Sequence, residues 1–566
     1  MTRGQVRILI LGGYGTFGGR LARLLSDEHR AVLIIGGRSL GKAQEFCASL
    51  PSGAQRIAVR FQRDADVDTQ LLEIAPSIVV DASGPFQTYG DSPYRVVEAC
   101  LRCGAHYLDL ADGSQFVRGV SRFDEEAKAR RLFVLSGVSS FPVLTAAVVR
   151  SLMHGMQRLD DICGGIAPSP YAGVGLNVIR AIASYAGQRI ELRRDSRTMR
   201  AYPFTETRRF TVAVPGRLPL RPMQFSLVDV PDLQMLVALW PDVASVWMGA
   251  GPAPPLLHRV LRGLAWLVRL HVVPTLAPLA RLMHWASNVL RWGEHRGGMF
   301  VEIRGRDEEG RATTRSWHLL AEGDDGPLIP SMAAEAIIRR CLSGTAPSAG
   351  ARPALREIEI GDYEEMFKRR KIHTGSRIPS RAEPIVTLYR RVLGDAWDLL
   401  PPPIRNMHDV HGSMTASGIA EVERGAGCVA RLVAGALRFP KAGSDVPVEV
   451  RFDVQGDKQV WTRKFRDRSF SSSHEEGRGA FDRLLCERFG PFVFGLALVL
   501  DGDRLRLVVR RWTCLGIALP VSLSPRGDSY ESGDDGRFRF NVEIGHPTIG
   551  LIIRYRGWLT ETPPAQ

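Results

Sequence analysis

Between Val6 and Leu135 the chain alternates short, nearly continuous apolar runs with segments of helical periodicity. Six runs read as strands: Val6 to Leu11, Ala31 to Ile35, Arg56 to Arg60, Ser77 to Asp81, His106 to Leu110 and Leu132 to Leu135. Strands that alternate with helices build a parallel sheet, and runs apolar at almost every position suit strands covered on both faces. Beyond about Arg150 the pattern changes. Residues 299–306 and 315–321 alternate apolar and polar positions around the polar turn Asp307 to Gly310, which predicts an antiparallel pair. Pro330 to Cys341 has a helical period and is expected to pack back on the first region. Two stretches, Thr345 to Arg352 and the basic Lys368 to Arg381, read as connectors. A helical Val386 to Leu393 follows, then short alternating segments such as Val446 to Val454, Val460 to Phe465, Arg504 to Trp512 and Arg537 to Ile544, which predict a mostly antiparallel β region.

The first strand breaks into Gly12-Gly13-Tyr14-Gly15-Thr16-Phe17-Gly18 and a helical segment follows from Gly19. A strand, a glycine turn and a helix start in that order hold a dinucleotide's pyrophosphate, whose charge sits on free N–H groups at a positive helix end. In this reading Gly13 makes the tight turn, Gly15 admits the phosphates and Gly18 brings helix and strand together. The expected fold is therefore α/β: a Rossmann domain over 1–145, completed by helices within 326–375. An inserted α+β domain over 146–325 serves substrate or dimerisation, and an accessory β-rich domain covers 382–566.

Composition narrows the picture less. The 566 residues are 45% hydrophobic and 24% charged, as in folded proteins. The net charge of +14 comes from 74 Lys and Arg spread along the chain, without a basic tail, so it reads as a solvated surface and not as a nucleic-acid site. Eight cysteines show no disulfide spacing and no charged-then-apolar leader precedes the first strand, which predicts a cytoplasmic protein with reduced thiols. Cys100, Cys103 and His106 lack a second ligand pair, so no metal is expected. His408 and His411 flank Asp409 without a nucleophile or metal-ligand spacing and read as structural. Residues 255–293 carry Trp266, Trp285 and Trp292 among Leu, Val and Arg, interrupted by Pro274 and Pro278. Two amphipathic helices are expected there, with two readings open: packing on the protein or a twin subunit, or seating in a membrane interface.

Three further segments, Asp81-Ala-Ser-Gly-Pro-Phe-Gln-Thr-Tyr-Gly90, Cys100 through Gly113 and Ser136-Gly-Val-Ser-Ser-Phe-Pro142, together with the glycine loop, resemble the saccharopine dehydrogenase-like NAD(P)-binding family. The resemblance is firm over the first 145 residues and looser to about residue 375; the last third resembles a domain of unknown function fused to such reductases. It implies a Rossmann fold, a pyridine dinucleotide and a substrate cleft between two domains. It assigns Gly13, Gly15, Thr16, Phe17 and Gly18 to the pyrophosphate and Ser83, Gly84, Pro85 and Phe86 to the ribose and nicotinamide. Saccharopine specificity does not transfer, because the family also includes lipid-acting enoyl reductases.

Cofactor choice is argued from residues alone. An NAD-binding acid is expected after the second strand, but Gly36-Gly37-Arg38-Ser39 and Lys42 stand there, a set suited to the 2′-phosphate of NADP. Proton-donor candidates at strand ends are Tyr89, Tyr107, Asp109, Asp112 and Ser140, with Tyr89 and Asp112 foremost; Tyr89 is equally placed to pack on the second domain. The expectation is an NADP(H)-dependent oxidoreductase with a small-molecule or lipid substrate, tilted toward a lipophilic or acyl acceptor. It binds no nucleic acid, and both a homodimer and peripheral membrane contact through 255–293 fit it. The contrasting reading is a non-catalytic NADP-binding scaffold or redox sensor at a membrane surface.

Overall fold

In the structure, a computed structural model, residues 5–252, 254–378, 386–466 and 468–562 are described. They divide into two compact units, 5–210 with 223–374, and 211–222 with 375–562.

The first unit begins with β1 (Val6–Leu11), α1 (Thr16–Leu24), β2 (Ala31–Gly37), α2 (Leu40–Ser49) and β3 (Gln55–Arg60). It continues with α3 (Val67–Ile74), β4 (Ile78–Asp81), α4 (Arg95–Cys103), β5 (His106–Asp109), α5 (Ser114–Gly119) and later β6 (Phe133–Ser136). The six strands match the six apolar runs to within two residues, and Ile8 to Ile10 and Leu33 to Ile35 are fully buried. All pair in parallel, in the order β6-β5-β4-β1-β2-β3. The order reverses between β1 and β4, and a crevice opens beyond the C-terminal ends of strands at such a point.

A seventh strand, Gly350–Pro353, joins the edge beside β6, so the predicted connector 345–352 ends inside the sheet. Its four residues lack an apolar run, and Pro353 is tolerable because the strand lies at an edge. Asp124 accepts a hydrogen bond from Ala351 N at 2.9 Å. Helix Ile329–Ser343 returns onto α1: Ser331 Oγ donates to Phe17 O at 3.1 Å and Arg339 Nη2 to Leu24 O at 2.8 Å. The other predicted connector holds strand Ile372–Arg377, whose Thr-Gly-Ser centre masks the pattern; residues 379–381 of that connector lie outside the described residues.

A mixed sheet forms the rest of this unit, with strands Met156–Ala167, Arg296–Asp307 and Ala312–Glu322 at its centre. The last two pair antiparallel, Met299 opposite Leu319, as the alternation predicts. Helices Pro255–Arg269 and Ala280–Val289 occupy the amphipathic stretch, and their small inner residues Ala265, Val268 and Ala280 pack with Ile179 and Ala183 of helix Leu176–Tyr185.

The second unit is a closed antiparallel barrel. Ten strands run in the order 492–501, 485–489, 468–476, 458–465, 443–455, 413–424, 550–561, 537–546, 530–534 and 504–514. Strand Phe492–Asp501 pairs back with Arg504–Cys514, Leu500 opposite Leu505, which closes the ring. Strand Ile517–Leu519 adds to the outside of Arg504–Cys514. Residues 211–222 pack on this barrel, with Leu500 N donating to Gly216 O at 2.8 Å. His408 ends helix Pro402–His408, is buried, and lies 2.6 Å from Glu531 Oε2; Asp409 and His411 are exposed.

Asp109, at the end of β5, ties that strand to the one beside it. It is fully buried, and its Oδ1 accepts from Ala111 N at 3.0 Å, Ser136 Oγ at 3.0 Å and Gly137 N at 2.8 Å. Burial outweighs these bonds and pushes its carboxyl up to about 7 from 3.8. The folded state then holds a proton that the unfolded chain has lost, so this group's contribution to stability falls as pH rises from about 4 to about 7. Asp109→Asn keeps the accepting oxygen and removes the charge. The variant should gain up to about 4 kcal/mol on the wild type between pH 4 and pH 8, read as the difference between their denaturant-unfolding curves. A pH-independent difference contradicts this reading.

Candidate active site

The glycine loop lies at the mouth of the crevice. Leu11 is paired with Gly36 on one side and Asp81 on the other, so the chain must leave the sheet upward between β2 and β4. Gly12 turns it with φ +69°, a conformation open to glycine, and a Cβ there would meet Ala82 O at 2.8 Å. The tight turn thus belongs to Gly12 and not to Gly13, as the motif alone suggests; Gly13 is kept small by Ile10 O and Ile35. At Gly18 a Cβ would lie 2.4 Å from Gly12 O, so α1 packs against the loop only without a side chain. Gly15 is the N-cap of α1; no side chain caps this helix and its first turn carries no acid. The free N–H groups of that turn and the positive helix end fit a pyrophosphate.

On one side of the loop, Ser39 caps α2 by accepting from Lys42 N at 3.4 Å, and Tyr14 Oη accepts from Ser39 N at 3.1 Å. Arg38 and Lys42 are exposed. Among the described residues neither side chain has a hydrogen-bond or ion-pair partner.

On the other side, Asp81 ends β4 and is buried. Its Oδ1 accepts from Ser83 N at 3.0 Å and Ser83 Oγ at 2.5 Å, and Tyr89 Oη lies 2.8 Å from Ser83 Oγ. These bonds fix the Ser83-Gly84-Pro85 segment above the sheet. Tyr89 packs on Phe86 and Phe116, with Arg63 stacked 3.3 Å above its ring, all within the first domain and not on the second. Burial, then the Asp81 charge, push the Tyr89 phenol up. This holds its proton at home, opposite to what a donor working near neutral pH needs.

The second domain covers the crevice. Arg20 Nη2 donates to Ala172 O at 2.9 Å, and Gly175 approaches Thr16 so closely that a Cβ would be 2.4 Å from its Oγ1. Asn177, at the start of helix Leu176–Tyr185, donates to Gly84 O at 2.8 Å. Asp112, in the turn after β5, accepts from Gln87 Nε2 at 3.0 Å, and Ser114 Oγ donates to Asp229 Oδ1 at 3.4 Å. Burial raises the Asp112 carboxyl against the Gln87 bond. Burial, then the Asp112 charge, raise that of Asp229. Both carboxylates act on Tyr185, whose phenol is raised chiefly by burial. Both shifts run in the direction that favours the protonated carboxyl, as a proton donor needs.

The structure therefore brings Gly12, Gly13, Gly15, Thr16, Phe17, Gly18, Ser83, Gly84, Pro85 and Asp112 around one crevice, with Arg38, Ser39 and Lys42 at its end. Phe86 is 6% exposed and packs on Tyr89 and Phe116. Of the remaining proton-donor candidates, Tyr107, Asp109 and Ser140 are buried inside the first domain. Sequence reasoning missed Asn177, Tyr185 and Asp229. They stand beyond the recognisable motifs, and only the approach of the second domain gives them meaning. Among the described residues no three His, Cys, Asp or Glu gather as metal ligands.

Two family models match parts of the chain. Residues 8–136 match the saccharopine dehydrogenase NADP binding domain, and residues 400–559 match a domain of unknown function, DUF4166. The chain thus carries an N-terminal domain of that dehydrogenase type and is an NAD(P)-dependent oxidoreductase with a nicotinamide dinucleotide cofactor. Among curated proteins none matches the sequence. Among solved structures, apo saccharopine dehydrogenase (L-Glu forming) from Saccharomyces cerevisiae aligns at 12% identity over 66% of this chain and 100% of its own, TM-score 0.47. Biliverdin reductase from Synechocystis, solved with biliverdin and NADP+, aligns at 11% over 63% and 94%, TM-score 0.28. Likenesses this distant add nothing about substrate.

The loop geometry makes a sharp prediction. Gly18→Ala places a methyl against the Gly12 carbonyl and should lower dinucleotide affinity at least tenfold and the melting temperature by several degrees. Gly41→Ala, at an open position in α2 with nothing within 4 Å, should bind normally and melt no lower than wild type. Equal behaviour of the two in calorimetric binding and thermal melts contradicts the cradle.

Proposed function

We propose that this chain is an NADP(H)-dependent reductase that acts on a lipophilic, acyl-type acceptor taken up at an anionic membrane surface. The observation that carries the lipophilic part is the outer face of helices Pro255–Arg269 and Ala280–Val289. Trp266 and Trp285 on these helices are 40% and 58% exposed, beside exposed Leu282, and Leu270, Val272 and Trp292 in the segments that follow the helices are exposed as well. Between Pro255 and Gly293 stand five arginines and no Asp or Glu. Tryptophans and leucines seat in the headgroup region, and each nearby basic residue adds about 1 kcal/mol on an anionic leaflet. No helix among the described residues is long and apolar enough to cross a membrane. The inner face of this pair packs on helix Leu176–Tyr185, the helix that also carries Asn177, whose side chain donates to Gly84 O.

NADP is the preferred cofactor because Arg38 follows β2 where an acid would repel a 2′-phosphate, and the guanidinium is exposed without a partner among the described residues. The bound dinucleotide supplies the hydride. The chain's own residues do the rest. The Ser83–Pro85 segment, held by Asp81 and Asn177, orients the reacting face. Asp112 and Asp229 hold the proton that the reduced acceptor takes up. The covering segment Ala172–Gly175 excludes water over the phosphates.

Three measurements test this. Arg38→Asp should weaken NADPH binding at least tenfold and NADH binding little; equal losses overturn the NADP assignment. The full chain should float with phosphatidylglycerol-containing vesicles, not with phosphatidylcholine alone, and the Trp266→Ser/Trp285→Ser variant should stay in the soluble fraction; no flotation with either vesicle sinks the membrane reading. NADPH oxidation should respond to a lipid-extract fraction and fall about 10²-fold in Asp229→Asn with NADPH affinity kept. A response confined to water-soluble metabolites overturns the lipophilic assignment.

A further inference from the structure

The barrel's interior forms a partly open cavity of about 540 Å³, within the range of about 300–1,000 Å³ usual for small-molecule sites. Most inward positions are apolar, as barrel alternation requires: Val448, Val450 and Phe452 on one strand, Phe538, Phe540 and Val542 on another. The pattern breaks at Glu531, which His408 partners, and most fully on one wall. Arg463 shares the inward parity of Trp461 and Phe465, Ser472 and His474 share that of Phe470, and Glu487 that of Leu485 and Phe489. These four polar residues meet. Arg463 Nη1 donates to Ser472 Oγ at 2.9 Å, Ser472 Oγ lies 3.0 Å from His474 Nε2, and Glu487 Oε1 is 3.5 Å from His474 and 3.8 Å from Arg463.

Two features separate this cluster from a structural ion pair. Arg463, His474 and Glu487 line the cavity, and the Arg463 and Glu487 side chains keep 13% and 24% exposure although the strands turn them inward. Trp461 Nε1 and His474 Nδ1, on the same wall, have no hydrogen-bond partner among the described residues. Buried charges and unpartnered polar atoms inside a barrel are expensive where apolar side chains would fill the space. The stacked rings of Tyr389, His408, Trp461 and His474 hold the wall in place, with centroid separations of 3.7, 5.5 and 4.4 Å.

We propose that the barrel is a binding site for an uncharged amphiphile, with its apolar body among the phenylalanines and one hydroxyl or carbonyl group against Arg463, His474 and Glu487. The cluster's charge selects this class. His474, Arg463 and Ser472 overcome burial to hold the Glu487 carboxyl down at about 2, so at neutral pH the Arg463 charge already has its counter-ion. A hydroxyl or carbonyl completes such a network, whereas a carboxylate would face Glu487. This site is in the second unit and does not depend on the reductase reading.

The test uses the full chain and 1-aminoanthracene, an uncharged fluorescent probe, with 1-dodecanol and dodecanoate as competitors at pH 7.5. Saturable binding of one probe per chain is expected, displaced at least tenfold more effectively by dodecanol. Val450→Trp, which fills the cavity, should lower probe affinity at least tenfold while circular dichroism and NADPH binding stay as in wild type. Glu487→Gln, which leaves Arg463 without its counter-ion, should reverse the preference toward dodecanoate. Absence of saturable binding, binding that Val450→Trp leaves intact, or a wild-type preference for dodecanoate overturns the proposal. If Val450→Trp fails to fold, Val509→Trp at the opposite wall decides the same question.

Discussion

Everything at the active site depends on Leu11 having a hydrogen-bonded strand on both sides. A strand held between two parallel neighbours cannot turn within the sheet, because both edges are occupied. The chain can only rise out of it, and Gly12 makes that turn in a backbone conformation that side chains resist. The close contact of Gly18 with the Gly12 carbonyl then fixes where α1 starts and therefore where its positive end points. The neighbours set the rest of the crevice. Gly36 leads to Arg38 on one flank, and Asp81 anchors Ser83 and Tyr89 on the other. The cofactor site is thus a geometric consequence of strand order, with a handful of side chains tuning its ends.

The two units solve the problem of unpaired strand edges differently, and each solution makes its own kind of cavity. The parallel sheet is open, buries both faces under helices, and binds at the ends of its strands. The barrel has no edge among its ten closing strands and binds inside. An open crevice can be covered by a second domain, as Ala172 to Asn177 cover the glycine loop. A closed barrel must instead set specificity by which side chains it turns inward.

The sequence was most legible where one local rule decides. Six parallel strands, the glycine loop, the hairpin 299–321 and the proline-divided helices all follow from period and turn chemistry. The barrel strands were visible one by one, but their closure was not, because pairing of 492–501 with 504–514 and of 413–424 with 550–561 is settled by distant partners. Strands Gly350–Pro353 and Ile372–Arg377 hid as connectors since they are strands only by virtue of a neighbour. The cofactor loop was legible and the proposed acid pair only half so: Asp112 stands in a recognisable motif, whereas Asp229 has no local signal and joins the candidate site through packing. Tyr89 shows the reverse case, a residue of suggestive type and position whose surroundings bind its hydroxyl to Asp81.

The late strand Gly350–Pro353 has a consequence for how this protein is made. The sheet that carries the dinucleotide loop lacks its edge until residues some two hundred positions further along have left the ribosome, and helix Ile329–Ser343, which seals α1, arrives only shortly before. Domains usually fold in order of synthesis. Here the edge of β6 has no partner strand until the inserted segment has also been made. A sheet that takes its edge strand from beyond the inserted segment is thus completed late in synthesis, although its glycine loop is among the first residues made.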